Sequence, residues 1–267
     1  MAEEHQLEKR AMVIVAHPDD AEFGSAGTTA LWVSQGWDVR YVVVTDGTAG
    51  GGDDATDVGP EARRKLSETR KAEQRAACDV LGVSGIDFLD YPDGQVQHTL
   101  ELRKKLVRLM RTHRPSRVIV QSPDRMWDPY RIGFYHPDHI AVAETAIAAL
   151  YPGSQNPWDF PELLLDEGLK PHKVSELWVV GAPVRDTFVD VSSVIDKKID
   201  ALRAHDSQLG ANFDRLEKRV RSWMRETGER HGVEYAEEFH VALNWRPEPE
   251  ETDSDADLAA TPRSSDD

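Results

Sequence analysis

Met12-Val13-Ile14-Val15-Ala16-His17-Pro18-Asp19-Asp20 is the stretch from which the fold is read: an apolar run that stops at a histidine and two carboxylates. So short a run, closed by a proline turn, predicts a buried strand whose end holds side chains rigidly at the mouth of a cleft. Further along, Tyr135-His136-Pro137-Asp138-His139 repeats the imidazole and carboxylate chemistry in front of an amphipathic segment. Pro18 and Pro137 each stiffen the turn beside the leading histidine.

Working outward, apolar runs at 12–16, 39–45, 86–89, 117–121 and 177–181 alternate with segments of helical period at 25–35, 60–81, 99–113 and 137–150. That alternation predicts an α/β fold, a Rossmann-like and mostly parallel sheet with helices on both faces. In the helix at 60–81, Leu66, Thr69, Ala76 and Leu81 are expected to share the buried stripe, leaving Arg63, Arg64, Lys65 and Glu68 in water. Residues 1–185 form the expected catalytic domain. Residues 186–246 are expected as a small appendage packed on it: an edge strand at 187–191, a helix capped by Ser192 and running towards Leu209, and a helix at 213–231. From Pro247 onward eight acidic residues face Arg263 alone, so 247–267 is expected to be a disordered acidic tail.

A chain of 267 residues, 39% of them hydrophobic, buries roughly three quarters of its unfolded surface and supports one sizeable core. Its 32 Lys and Arg against 48 Asp and Glu give a net charge of -16, which works against a nucleic-acid partner. No apolar run approaches the ~20 residues of a membrane span, and residues 1–11 are charged rather than signal-like, so a cytoplasmic protein is expected. Composition leaves a homo-oligomer open. The single cysteine, Cys78, excludes an intramolecular disulfide and a multi-cysteine zinc site; its apolar neighbours at helical spacing mark it as packing. Three loops, at 46–54, 122–135 and 151–173, are long enough to rim a pocket: the first is glycine-rich, the second holds Trp127, Tyr130 and Phe134, and the third carries Trp158.

If the strand order is 3-2-1-4-5, the ends of the first and fourth strands are neighbours at the point where the order reverses, where open α/β sheets bind ligands. The two histidine clusters then meet. Two imidazoles and a carboxylate hold many catalytic zinc ions, leaving a place for water whose pKa falls from ~16 towards ~7. Of the adjacent Asp19 and Asp20, one can ligate while the other takes the proton of that water. Such a donor set also accepts Fe2+, Co2+ or Mn2+. A dinucleotide fingerprint finds no support, because Gly24 and Gly27 have the wrong spacing.

The Ala16-His17-Pro18-Asp19-Asp20-Ala21-Glu22 start, the His136-Pro137-Asp138-His139 block, Arg70-Lys71-Ala72-Glu73, Tyr91-Pro92-Asp93-Gly94 and Ala204-His205-Asp206-Ser207-Gln208 together resemble the LmbE/PIG-L family of zinc-dependent N-deacetylases, over roughly residues 11–245. The resemblance implies a Rossmann-like fold and removal of an N-acetyl group from an N-acetylglucosamine-type sugar or glycoconjugate. It implies that His17, Asp20 and His139 bind zinc, that Asp19 is the general base, and that His136 stabilises the oxyanion and protonates the leaving amine. Asp138 is expected to orient His136. Among substrate contacts, Arg70 is expected either to reach a hydroxyl or phosphate or to pair with Glu73 on a solvated face. Asp93 is either a sugar contact or a turn residue, and His205 either donates to the site or packs its helix. Members acting on mycothiol precursors carry Thr-x-Gly-Glu after the second strand and a Tyr two residues before the His-Pro-Asp-His block. Here Thr48 and Phe134 stand at those places, with Tyr135 one residue along, so that substrate is not implied. The alternatives are an amidase of a larger acyl or thiol-conjugate amide and a non-catalytic ligand-binding protein on the same fold.

Overall fold

The structure, a computed structural model, describes residues 7–245 except 53, 126, 128–131, 133 and 134. The expected acidic tail, Tyr130 and Phe134 lie outside the described residues. One seven-stranded sheet organises the chain, in the order β3-β2-β1-β4-β5-β7-β6. Its strands are β1 (Arg10–Val15), β2 (Asp38–Thr45), β3 (Gly85–Tyr91), β4 (Arg117–Gln121), β5 (Glu176–Val180), β6 (Thr187–Asp190) and β7 (Ala236–Leu243). The first five run parallel, while β7 is antiparallel to both β5 and β6.

The helices are α1 (Asp20–Ser34), α2 (Pro60–Leu81), α3 (Leu100–His113), α4 (Pro137–Ala148), α5 (Pro161–Leu165), α6 (Ile195–Arg203), α7 (Asp206–Leu209) and α8 (Phe213–His231). Alternation along β1 sends Met12 and Ile14 to one face and Val13 and Val15 to the other. Met12 and Ile14 pack with Leu102, Leu106 and Met110 of α3 and Val142 of α4. Val13 and Val15 pack with Ala30 and Trp32 of α1, Leu81 of α2, Ile199 of α6 and Met224 of α8. Both faces of the sheet are therefore covered, which is why its central strands read as unbroken apolar runs. Among the described residues no helix is long and apolar enough to cross a membrane.

Four expectations need correction. The first helix begins at Asp20 rather than Ser25, because the Asp19 carbonyl already accepts from Glu22 and Phe23 N–H and opens the first turn. The buried stripe of α2 runs through Ser67, Arg70, Gln74, Ala77, Cys78 and Leu81, leaving Thr69 and Ala76 exposed. It is a polar stripe near its start because it faces the site, not the core. The helix expected to continue to Leu209 stops at Arg203 and restarts as α7, with His205 buried at the elbow; the Ser192 hydroxyl, expected as its cap, donates to Asp190 instead.

The fourth correction is β7, which the pattern hid because Glu237, Glu238 and His240 interrupt its apolar residues. Glu237 is nonetheless buried: its carboxylate accepts from Gly27 N–H at 3.0 Å and Thr28 N–H at 2.7 Å and pairs with Lys198 at 2.7 Å. A charge so fully partnered is tolerated inside the fold. The third long loop, 151–173, is packed against α3, where Arg111 donates to the carbonyls of Gly153, Ser154 and Asn156.

Candidate metal centre

β1 and β4 are hydrogen-bonded neighbours, and the chain leaves β1 for β2 on one side and returns through β4 on the other. The crevice beyond their carboxyl ends is thus the switch point of the sheet. Into it come His17 after β1, Asp20 as the first residue of α1, and His139 in the first turn of α4. His17 N–H donates to Asp20 Oδ2 at 2.8 Å, which closes the turn and fixes that carboxylate.

Three residues bring two ring nitrogens and both oxygens of one carboxylate together. His17 Nδ1 lies 3.2 Å from His139 Nε2 and 3.3 Å from Asp20 Oδ2, while His139 Nε2 lies 3.2 Å from Asp20 Oδ1. Ligands ~2.0–2.1 Å from a zinc ion at tetrahedral angles stand about 3.3–3.4 Å apart, so the spacing fits such an ion. Two ring nitrogens facing each other and one carboxylate are also the donor chemistry a divalent cation needs.

The far side of His17 shows why Nδ1 is the free nitrogen. Its Nε2 lies 3.1 Å from Asp93 Oδ1 and 3.2 Å from Asp138 Oδ2, both buried carboxylates. Asp138 also accepts from the N–H groups of Gly94 at 2.7 Å and Val96 at 3.1 Å, and Asp93 accepts from Ala49 N–H at 3.0 Å. Carboxylates behind a ligating histidine fix its tautomer, here Nε2–H, and orient the ring. Burial opposes charge on His17, yet Asp138, Asp20 and Asp93 outweigh it and push the imidazole up to about 11. Such a pull for positive charge at Nδ1 is what a bound cation would satisfy.

Asp20 is buried, which works against its charge, but His139 and His17 hold its carboxyl well below the usual carboxylate range. Asp19 goes the other way: burial and the Asp20 charge push it up to about 7, against the opposing pull of Arg70 and His205. Two adjacent carboxylates are thereby driven apart, the arrangement expected of a ligand beside a base. His136 caps α4, its Nδ1 accepting from Asp138 N–H at 3.2 Å, which leaves Nε2 as the N–H. Its ring stands edge-on to His17 at 4.5 Å, and burial and the His17 charge lower its pKa, so the ring is neutral at neutral pH.

Several expected roles change. Asp138 does not turn its carboxylate to His136; it holds His17, because the backbone of residues 94–96 supplies its other partners. Asp93 likewise spends its carboxylate on His17 and Ala49 rather than on a sugar. Arg70 neither reaches out for substrate nor pairs with Glu73 in water. It is buried, donating to the carbonyls of Gly47 and Pro18 at 2.9 Å each and lying 3.4 Å from Asp19 Oδ2. That close approach explains Gly50 in the second-strand loop, since a Cβ there would sit 2.4 Å from Arg70 Nη1. Glu73 instead accepts from Ser207 N–H and Oγ. The Thr48 hydroxyl donates to Asp46 at 2.8 Å. His205 is fully buried against Glu22 at 3.2 Å, away from the three donors. Tyr135, with Asp20 and His139, lines a cavity of about 320 Å³.

One residue of the site escaped the sequence. Gln74 is buried and accepts from Asp19 N–H at 2.9 Å while donating to Glu22 at 2.9 Å. Its spacing of four from Arg70 on one helix face was the available signal.

Comparison with known proteins agrees with this geometry. The sequence profile of the PIG-L family, GlcNAc-PI de-N-acetylase, matches residues 12–150. The diacetylchitobiose deacetylase of Thermococcus kodakarensis is 32% identical over 231 residues, 86% of this chain and 81% of that protein. A 1D-myo-inositol 2-acetamido-2-deoxy-alpha-D-glucopyranoside deacetylase of Rhodococcus erythropolis is 30% identical over 255 residues, 77% of this chain and 84% of that protein. Among solved structures, the N,N'-diacetylchitobiose deacetylase of Pyrococcus horikoshii superposes with a TM-score of 0.78 at 29% identity, covering 88% of this chain and 84% of that one. The chain belongs to the PIG-L family of metal-dependent, amide-hydrolysing enzymes.

Proposed function

We propose that this protein removes the acetyl group from a 2-acetamido-2-deoxyglucose unit, using zinc held by His17, Asp20 and His139. The observation that carries the reading is the meeting of the His17 and His139 ring nitrogens, 3.2 Å apart, with one Asp20 oxygen 3.3 Å from the first and the other 3.2 Å from the second, beside an Asp19 carboxyl pushed up to about 7. Both curated relatives described above are named for substrates bearing such a unit, which supports the substrate class. Bound among these donors, zinc supplies Lewis acidity towards the amide carbonyl and makes hydroxide available near neutral pH. Fe2+ and Co2+ satisfy the same donors, and metal analysis decides among them.

The chain's own groups divide the proton work. Asp19 accepts the proton of the attacking water, for which a pKa near the working pH is well matched. Neutral His136 points an N–H donor at the oxygen on which negative charge develops, and Asp19 passes the proton it took from water to the departing amine. Asp93 and Asp138 keep His17 in the tautomer that ligates. Acetate and a free sugar amine leave.

The test is metal analysis of the purified protein together with acetate release from N-acetylglucosamine, N,N'-diacetylchitobiose and the N-acetylglucosaminyl-inositol. One zinc per chain and acetate from at least one of them are expected; a fully metal-loaded protein that releases acetate from none overturns the reading. A second reading, an amidase of a larger acyl group, is favoured by one observation: Phe23, Ile119, Ile140, Val180 and Trp223 give the cavity beside Asp20 and His139 a largely apolar wall. The identity of the released acid separates the two.

A further inference from the structure

Asp19 adopts a left-handed backbone conformation, with φ 86° and ψ -23°. Asp tolerates such values better than most residues, but they persist only where the surroundings over-determine them. The surroundings here are specific. Asp19 N–H is taken by Gln74 Oε1 at 2.9 Å, the preceding carbonyl of Pro18 is taken by Arg70 at 2.9 Å, and the Asp19 carbonyl accepts from Glu22 and Phe23 N–H at 3.0 and 3.1 Å.

Gln74 is itself held. Its amide nitrogen donates to Glu22 Oε1 at 2.9 Å, and the second oxygen of Glu22 meets His205 Nε2 at 3.2 Å. Gln74, Glu22 and His205 are all completely buried. Only one orientation of the Gln74 amide satisfies both neighbours, because Asp19 N–H needs an oxygen and the Glu22 carboxylate needs an N–H. The line runs from the α6–α7 elbow through α1 and α2 to the turn after β1.

We propose that Gln74, locked by the buried Glu22–His205 pair, is a positioning residue that holds the Asp19 backbone in its left-handed conformation and so aims the Asp19 carboxylate. The inference rests on the reading of Asp19 as general base. Nothing else in the described structure occupies the Asp19 N–H, so losing the Gln74 oxygen leaves a donor without its partner and the turn free to relax. The carboxylate then swings with the backbone, whereas His17, Asp20 and His139 are tied by other bonds and keep the metal.

The first variant is Gln74→Leu, which keeps the volume and removes both hydrogen bonds. The expected result is a fall in kcat of roughly 10- to 100-fold, with KM and zinc stoichiometry unchanged to within about twofold, the pattern of a misaimed base rather than a broken site. The second test exchanges the two groups. Gln74→Glu alone sets two carboxylates together and lowers kcat. Adding Glu22→Gln lets amide and carboxylate trade places, restores every bond in the line, and is expected to return kcat to within about threefold of the parent. The exchange also carries the proposal if Gln74→Leu does not fold. A parent that releases acetate while zinc-loaded Gln74→Leu matches its kcat within about twofold overturns this inference alone, as does a kcat loss in Gln74→Glu that Glu22→Gln leaves uncorrected. A zinc-loaded parent that releases neither acetate nor a larger acid from its amide substrates overturns the assignment of Asp19 and this inference with it.

Discussion

His17-Pro18-Asp19 and His136-Pro137-Asp138 are the same tripeptide folded in two ways. In the first, the helix begins three residues after the histidine, at Asp20; in the second it begins one residue after, at Pro137. That offset of two exchanges the roles. Before α1 the histidine stands outside the helix with a ring nitrogen free for a metal, and the aspartate sits at the cap in a left-handed conformation. Before α4 the histidine is itself the cap, spending Nδ1 on Asp138 N–H, and the aspartate lies in the first turn with its carboxylate turned to His17. Composition of a motif therefore assigns chemistry less reliably than its phase against the helix that follows it.

The same pair of substitutions, made in both turns, tests this asymmetry most directly. His17→Ala is expected to abolish both zinc binding and turnover, because it removes a ligand and strands Asp20, Asp93 and Asp138 against one another. His136→Ala is expected to keep zinc and lower kcat by about 10²- to 10³-fold, the usual effect of losing one donor to a developing oxyanion. Metal content after dialysis, measured beside kcat, tells them apart; equal metal loss in both would collapse the distinction between the turns.

Changing the carboxylates gives the next largest contrast. Asp19→Asn is expected to leave metal in place and lower kcat by roughly 10²- to 10⁴-fold, as for a general base. Asp138→Asn is expected to act through His17, weakening zinc by about 10- to 100-fold with a smaller effect on kcat once the metal is saturating. Titrating activity against free zinc separates the two, and a saturable defect in Asp19→Asn contradicts its role as base.

What could be read from the chain follows the same division. The meeting of His17, Asp20 and His139 was legible because strand order alone brings the ends of β1 and β4 together. The partners of Asp138, Asp93 and Arg70 were not, because each depends on backbone donors or carbonyls in the turns at 94–96 and 47–50, which arrive from other strands. Gln74 and Glu237 were missed for a shared reason. A polar side chain at helical or strand spacing reads as facing water unless its buried partners, here Asp19 N–H with Glu22, and Gly27 and Thr28 N–H with Lys198, are known.

The smallest effect concerns the metal-free protein. Without a cation, His17 gains a proton on folding, since its pKa rises from 6.5 to about 11. A group raised in the folded state stabilises fully below its unfolded pKa and loses that contribution as pH climbs towards the folded value. Asp19, pushed up to about 7, favours folding only while protonated, so its own loss is nearly complete by that pH. Between about pH 7.5 and 9.5 His17 adds its slope to those of His205, raised against its burial by Glu22, and Cys78, pushed up to about 12 by burial, and the metal-free protein is expected to lose a few degrees of Tm over that interval. With zinc on Nδ1 no proton is held there, so the slope becomes shallower, as it does in metal-free His17→Ala. In metal-free His136→Ala it persists, because His136 is neutral throughout the range and Asp20, Asp93 and Asp138 still surround His17. A Tm slope undiminished in His17→Ala would place the proton elsewhere and remove the electrostatic argument that sets the first His-Pro-Asp turn apart from the second.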